Sequence, residues 1–182
     1  KQNISYDLFK IKDKHKLNWR EIISIKHSAS EIFDIDQSKN KKDQGKLLHK
    51  ILADIHYLED KKKIIESYCS LSEYKNQDFN QIKSIINKLF LSEDILRYFE
   101  HNWIVKTEKE ILMPDGKTYI PDRLLFHKKS DEVVVIDYKT GKVKKEHESQ
   151  ILNYAKALSN MGYNNIKKVL IYVNKDKMIK EL

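Results

Sequence analysis

Apolar and polar positions divide the chain into a helical first part and a strand-rich second part. In the first part, apolar residues recur every three or four positions, which is typical of amphipathic helices. In the second part, short runs of β-branched and aromatic residues are separated by turn residues, which indicates strands. The pattern therefore predicts helices, then three strands, then a helix and a last strand.

The helical pattern begins clearly at Gly45 and predicts a helix over residues 45–57. Further helical segments fill residues 61–101, and Ser92 is a candidate N-cap for the last of them. The apolar stripe of the first helix comprises Leu47, Leu48, Ile51, Leu52, Ile55 and Leu58.

The chain before this helix is polar and weakly periodic. It predicts one helix at residues 18–33 and a charged, solvated linker at residues 37–44. We therefore expect an N-terminal extension over residues 1–42 and one domain over residues 43–182. The chain starts at Lys1 rather than Met, so we expect it to be a piece of a longer protein.

The strand pattern covers the C-terminal part of the chain. It predicts strands at residues 103–113, 118–126 and 132–139, a helix at 147–161 and a strand at 166–173. Short links make the first three strands antiparallel, whereas the last strand follows a helical crossover and can lie parallel to a neighbour.

Composition narrows the classes of protein to consider. The net charge of +8 favours an acidic partner such as nucleic acid. The bias is nearly all lysine in a chain rich in isoleucine and asparagine, so biased codon usage explains it equally well. Cys69 is the single cysteine, which excludes an intramolecular disulfide and any four-cysteine zinc or iron–sulfur site. A reducing, cytoplasmic setting fits best, and no segment has the length and apolarity of a membrane helix.

The run VVVIDYKTGK joins an apolar strand to an acid and a base. Asp137 and Lys139 are two residues apart, so they share one face of the strand with valines. An ionised carboxylate in such surroundings is costly unless another group pairs with it.

A hairpin turn centred at residues 129–130 would place Asp122 opposite Asp137, with Cβ atoms about 4.5–5.5 Å apart. Two partly buried carboxylates at that distance share either a proton or a cation. In the alternative interpretation both are surface residues that Lys139 neutralises. A bulge at Pro121 would also change the register.

Two helices carry further candidates. His49 lies at the border of the apolar stripe with Gly45 one turn earlier, a position that suits a structural histidine as well as a ligand. Gln150 and Tyr154 share one face of the later helix, and their spacing alone assigns them no chemistry.

Together, the stretches GKLLHKIL, IPDRLLF, IDYKTGK and QILNYAKAL resemble the motifs of the RecB-like nucleases of the PD-(D/E)XK superfamily. The resemblance runs from about residue 45 to 173, with an unmatched helical insert near residues 61–101. It implies an α/β fold with an αβββαβ core, a mixed central sheet and extra N-terminal helices.

A closer resemblance, through EILMPDGKTYIPDRLLF and NMGYNNIKKVLIYV, is to the C-terminal nuclease domain of UvrD/RecB-type helicase–nucleases. It implies a role in DNA repair or recombination, with a helicase domain in the same longer chain or on a partner subunit. The single cysteine excludes the iron–sulfur branch of that family. Glycine often precedes the first acid there, and Pro121 stands in its place here.

The resemblance implies metal-dependent hydrolysis of DNA, at ends or on single strands. Asp122, Asp137, His49 and the backbone carbonyl of Tyr138 would bind Mg²⁺ or Mn²⁺, and Lys139 would orient the attacking water.

The resemblance also gives roles to the remaining candidates. Gln150 and Tyr154 would position the DNA, and Gly45 would leave room for it. Glu108 and Glu110, two apart on the preceding strand, are candidates for acids that support the ligands. Two alternatives are a nucleic-acid-binding domain of this fold without activity and a restriction-like endonuclease that cuts at specific sites.

Overall fold

The computed structural model describes residues 39–113, 115–175 and 178–182, with side chains from residue 43 onward. Most of the predicted extension over residues 1–42, including the helix predicted at 18–33, lies outside the described residues. The helices are α1 (Lys39–Asp54), α2 (Asp60–Ser70), α3 (Phe79–Leu89), α4 (Glu93–Leu96) and α5 (Lys145–Asn160), with 3₁₀ turns at Ser72–Tyr74 and Arg97–Phe99.

Helix α1 begins at Lys39, so the prediction of a solvated linker over residues 37–44 was wrong from that residue onward. The run contains lysine and glutamine, which are good helix formers, and it has no proline. A charged run of this kind can be the solvated start of a helix as well as a linker. Of the predicted apolar stripe, Leu58 lies beyond the helix and is 42% exposed, whereas the other five residues are buried.

The strands are β1 (Trp103–Thr107), β2 (Ile111–Leu112), β3 (Thr118–Tyr119), β4 (Arg123–His127), β5 (Glu132–Lys139), β6 (Asn165–Tyr172) and β7 (Ile179–Glu181). The strand predicted at 103–113 is divided because Glu108 has a φ of 48°, in the left-handed region. The strand predicted at 118–126 is divided near Pro121, which cannot donate a ladder hydrogen bond. The sequence pattern did not predict β7.

The central sheet is mixed, in the order β1-β4-β5-β6-β7. Strands β1, β4 and β5 are antiparallel neighbours and β5 is parallel to β6, which confirms the predicted directions. The pairs Leu124–Val135 and Phe126–Val133 confirm the predicted hairpin register. Strands β2 and β3 form a separate two-stranded sheet.

Helices cover both faces of the sheet. Residues Val134, Ile136 and Tyr138 of β5 pack with helices α1 to α4, whereas Val133 and Val135 pack with α5. Strand β5 is therefore buried on both faces, as its unbroken apolar run predicts. Among the described residues, no helix combines the length and apolarity needed to span a bilayer.

Candidate active site

The site forms where the β4–β5 hairpin ends, opposite its turn. Asp122 directly precedes β4, and its Oδ2 accepts a hydrogen bond of 2.7 Å from the Tyr138 backbone N–H. The Asp122 carbonyl also accepts a 3.2 Å hydrogen bond from the Glu108 N–H. Asp122 is therefore fixed beside the last residues of β5, where the hairpin register predicts it.

Helix α1 brings His49 to the same point. Its Nδ1 lies 3.5 Å from Asp122 Oδ1, and both side chains are about three-quarters buried. Burial disfavours the imidazolium, but the Asp122 and Asp137 carboxylates together outweigh it, so the pKa of His49 is raised. Burial likewise opposes ionisation of Asp122, but His49 and the Tyr138 N–H outweigh it and lower the pKa of Asp122.

Asp137 is almost completely buried, at 2% exposure. Burial and the nearby Asp122 carboxylate raise the pKa of Asp137 to about 7, against the opposing effect of Lys139. Lys139 Nζ lies 2.6 Å from Asp137 Oδ2, yet that oxygen makes no hydrogen bond of regular geometry. Near neutral pH the Asp137 carboxyl is therefore divided between its protonated and ionised forms, with the Lys139 ammonium beside it.

Helix α5 completes the site from the other face of the sheet. Gln150 Oε1 accepts a 2.7 Å hydrogen bond from Lys139 Nζ, and Gln150 Nε2 donates one of 2.6 Å to Tyr154 Oη. The ring of Tyr119 packs edge-on against Tyr154, with centroids 5.9 Å apart. The side-chain amide of Gln150 thus fixes the position of the lysine ammonium.

This convergence of Asp122, Asp137 and Lys139 agrees with a family-level comparison. The sequence model of the PD-(D/E)XK nuclease superfamily matches residues 19–181, which is most of the chain. The chain belongs to the PD-(D/E)XK nuclease superfamily. Members of this superfamily are generally nucleases and typically use divalent metals such as Mg²⁺. No curated protein matched the chain.

The superfamily match starts at residue 19, inside the predicted extension. The mixed sheet with helices on both faces agrees with the α/β PD-(D/E)XK fold expected from the sequence.

Three of the predicted PD-(D/E)XK site residues are placed differently from the expectation. Glu108 and Glu110 are not on a strand, because β1 ends at Thr107, and both are exposed. Gly45 lies within α1 rather than in its first turn, and a Cβ there would meet Thr140 Oγ1 at 3.4 Å. Such a Cβ would make an ordinary van der Waals contact, so α1 packs close to the loop that follows β5 at this residue.

Arg123 is a buried residue of this nuclease fold that the sequence interpretation missed. It is fully buried and donates hydrogen bonds to the carbonyls of Ile55 (2.8 Å), His56 (2.6 Å) and Tyr98 (3.3 Å). Its guanidinium also stacks over the ring of Phe99, 4.2 Å from the centroid. Because it directly follows Asp122 and contacts the residues after α1, it connects the strand carrying Asp122 to the helix carrying His49. The signal in the sequence is that Arg123 is adjacent to Asp122 on a strand, so its side chain faces the opposite side of the sheet from the Asp122 carboxylate.

The side chains around the carboxylate pair determine whether it suits a cation. Among the described residues, no three His, Cys, Asp or Glu side chains are arranged to ligate one ion. In this structure the two carboxylates face His49 and Lys139 instead. The chemistry of the donors nevertheless fits a hard cation, because two adjacent, largely buried carboxylates supply oxygen ligands, and burial and the Asp122 carboxylate raise the pKa of Asp137.

Proposed function

We propose that this protein is a metal-dependent DNA nuclease that hydrolyses phosphodiester bonds. The observation that supports it best is the largely buried pair of Asp122 and Asp137, in contact with His49 on one side and Lys139 on the other. A pair of ionised carboxylates repels a phosphate by itself. It becomes useful for phosphate chemistry when a cation neutralises it.

Asp122 and Asp137 would hold Mg²⁺ or Mn²⁺ through oxygen, and His49 would add a nitrogen ligand, which suits Mn²⁺. The backbone carbonyl of Tyr138 remains a proposed further ligand. The bound ion would supply charge neutralisation at the phosphate oxygens and ease the ionisation of water.

Lys139 would act on the reacting groups directly. In hydrolysis, the oxygen of water bonds to phosphorus, the bond from phosphorus to the leaving oxygen breaks, and a proton reaches the leaving oxygen. The Lys139 ammonium would orient the water and stabilise the negative charge that develops on the phosphate. Its hydrogen bond to Gln150 supports this role, because it holds the ammonium in place before the substrate binds.

Gln150 and Tyr154 would position the DNA strand beside this centre, in addition to fixing Lys139. Tyr154 is buried, and burial raises the pKa of its hydroxyl, so it would act as a neutral hydrogen-bonding group. The close approach of α1 to Thr140 at Gly45 would keep the loop that follows β5 near the DNA strand.

We further propose that the protein is RecB-like, acts from DNA ends and serves DNA repair or recombination together with a helicase. The order of the Gly45–His49, Pro121–Asp122, Asp137–Lys139 and Gln150–Tyr154 motifs supports this subgroup. The helicase would belong to the same longer chain or to a partner subunit. A cytoplasmic location is part of the same proposal.

The test compares end-labelled linear DNA, circular plasmid DNA and labelled RNA of matching sequence, each with Mg²⁺, Mn²⁺ or EDTA. We expect metal-dependent loss of linear DNA from its ends in the wild-type protein and none in Asp137→Asn. Discrete plasmid fragments would indicate the restriction-like alternative instead.

Binding of Mn²⁺ by titration calorimetry provides a readout that does not depend on cleavage. The wild-type protein should bind Mn²⁺, and Asp137→Asn should bind it more weakly. Absence of both cleavage and Mn²⁺ binding would support the alternative of an inactive nucleic-acid-binding domain.

A further inference from the structure

A cleft of about 360 Å³ lies between α1, α3 and the loop that follows β5. Part of its wall comes from α3, which belongs to the helical insert that none of the recognised motifs includes. Its size is within the range of about 300–1,000 Å³ that small-molecule sites occupy.

The cleft adjoins the proposed active site. Thr140, which lines it, directly follows Lys139, and consecutive Cα atoms are about 3.8 Å apart. Gly45, which also lines it, precedes His49 by about one helical turn, a rise of about 6 Å. Both the helix and the loop that carry the site thus continue into the walls of the cleft.

The lining combines an apolar floor with polar amides. Leu48 and Ile82 are almost fully buried and Ile85 is half-buried, so Ile85 offers most of the apolar surface that a ligand can reach. Gln44 and Gln81 lie at one side, joined by a 2.8 Å hydrogen bond from Gln44 Nε2 to Gln81 Oε1.

Thr140 and Asn174 also line the cleft. The Asn174 Nδ2 donates a 3.1 Å hydrogen bond to the Thr140 carbonyl, so this bond does not use the amide oxygen of Asn174. These two hydrogen bonds use one donor or acceptor of each amide, so each of the three amides keeps a further polar group for a ligand.

We propose that this cleft binds one unpaired nucleobase of the DNA strand whose phosphate lies at Lys139. The inference rests on the proposed nuclease function and adds to it a binding site for a single base. A base has an apolar face and a polar edge, and proteins hold extruded bases between apolar side chains with hydrogen bonds to that edge. Glutamine and asparagine amides suit base edges because they both donate and accept.

A base inside a duplex is stacked and paired, so it cannot enter a cleft of this kind without leaving the helix. The cleft therefore predicts that single strands are bound and cut in preference to duplexes. The apolar floor and mixed donors and acceptors predict little preference among the four bases.

The experiment measures binding by fluorescence anisotropy in EDTA, so that no cleavage occurs. The probes are a labelled single-stranded oligodeoxynucleotide and a strand of equal length in which every nucleotide is abasic. Ile85→Trp fills the cleft, and Asn87→Trp on the opposite side of α3 is its matched control. Gln81→Ala, at an exposed position, removes an amide without affecting the core.

We expect the wild-type protein and Asn87→Trp to prefer the normal strand over the abasic one. In Ile85→Trp that preference should fall about tenfold, because one base–protein contact is lost, and in Gln81→Ala it should fall by less. An unchanged preference in both Ile85→Trp and Gln81→Ala would overturn the cleft proposal.

A separate cleavage assay on the same strands distinguishes the two proposals. Loss of the preference in Ile85→Trp without any metal-dependent cleavage by the wild type would support the cleft and contradict the nuclease. Metal-dependent cleavage by the wild type with an unchanged preference in Ile85→Trp would support the nuclease and contradict the cleft. Absence of DNA binding by the wild type in EDTA would contradict the cleft, and absence of metal-dependent cleavage as well would contradict both.

Discussion

Arg123 and Lys139 are both buried cations at the same end of the β4–β5 hairpin, on opposite faces of the sheet. The Arg123 guanidinium contacts backbone carbonyls and an aromatic ring. The Lys139 ammonium contacts the Asp137 carboxylate and the Gln150 amide, and its side chain keeps 10% of its exposure.

The difference shows how one sheet separates a cation held by backbone carbonyls from a cation held by a group that titrates. Backbone carbonyls are fixed and do not titrate, so the contacts of Arg123 persist at any pH at which the protein is folded. The partner of Lys139 does titrate, since the pKa of Asp137 is raised to about 7 by burial and by Asp122. The contacts of Lys139 can therefore change with the protonation of Asp137, whereas those of Arg123 keep strand β4 and the residues after α1 together.

The largest expected effect is on activity, in Lys139→Met. DNA cleavage should fall about 10²–10³-fold, the usual effect of removing one group that stabilises a transition state. Removing one partner of a buried ion pair is costly when the other partner stays charged. The pKa of Asp137 is already raised to about 7, so protonation of this carboxyl should limit the loss in the free energy of unfolding. Cleavage kinetics and urea unfolding measure the two effects, and wild-type cleavage rates in this variant would contradict the assigned role.

Arg123→Met should show the opposite pattern. Three buried carbonyls lose their donor, so the free energy of unfolding should fall by about 3 kcal/mol. Urea denaturation measures it, with Arg97→Met as the matched control. Arg97 pairs with Glu181 at an exposed position, where an ion pair contributes less than about 1 kcal/mol. Equal losses in the two variants would remove the distinction between the two faces.

Gln150→Leu should have a smaller effect, confined to the Lys139 face. Without the amide, the ammonium is less well oriented, and cleavage should slow about tenfold while stability changes little. Gln150→Glu keeps an acceptor for the ammonium and should recover part of the rate. If Leu and Glu at this position gave the same rate, Gln150 would not act through Lys139.

His147 provides the smallest effect and a test by pH. It is buried beside Tyr172, and burial, with Lys139 and Lys144 adding to it, lowers its pKa to about 4. Between about pH 6.5 and 4, the unfolded chain binds a proton there and the folded protein does not. Stability should therefore fall as the pH falls through this window, by at most about 1.4 kcal/mol per pH unit.

Asp137 contributes with the opposite sign between its ordinary pKa and about 7, since there the folded protein binds the extra proton. The measurement is therefore the difference in urea stability between wild type and His147→Gln, at pH 7 and pH 5. The wild type should lose more stability than the variant. In Lys139→Met, NMR titration should show a higher pKa for His147, and an unchanged value would contradict the contribution of Lys139.

The central strands were predictable because their signals are local. Strand β5 begins and ends at the predicted residues, since its run of β-branched residues is bounded by charged residues. The register of the hairpin followed from the position of its turn, and the turn position alone predicted that Asp122 lies beside Asp137. The approach of His49 to Asp122 depends on how α1 packs, so the sequence pattern left its role open.

The remaining differences come from contacts between distant residues. The burial of Arg123 depends on carbonyls of residues 55, 56 and 98, which no local pattern connects with it. The left-handed conformation of Glu108 is uncommon for this residue type, so a continuous strand was the better expectation. Strand β7 is only three residues long, and it forms by pairing with β6 rather than from its own pattern.

The attachment of Arg123 to the residues that follow α1 fixes the position of that helix along its own axis. Arg123 binds the carbonyls of Ile55 and His56 directly after the end of the helix, while Gly45 lies close to Thr140 nearer to its start. Each residue added or removed between His49 and Ile55 would rotate the histidine by about 100° and shift it by about 1.5 Å. The length of this segment is thus constrained, and the helical insert enters the chain only after it, where extra residues leave the spacing of His49 and Asp122 unchanged.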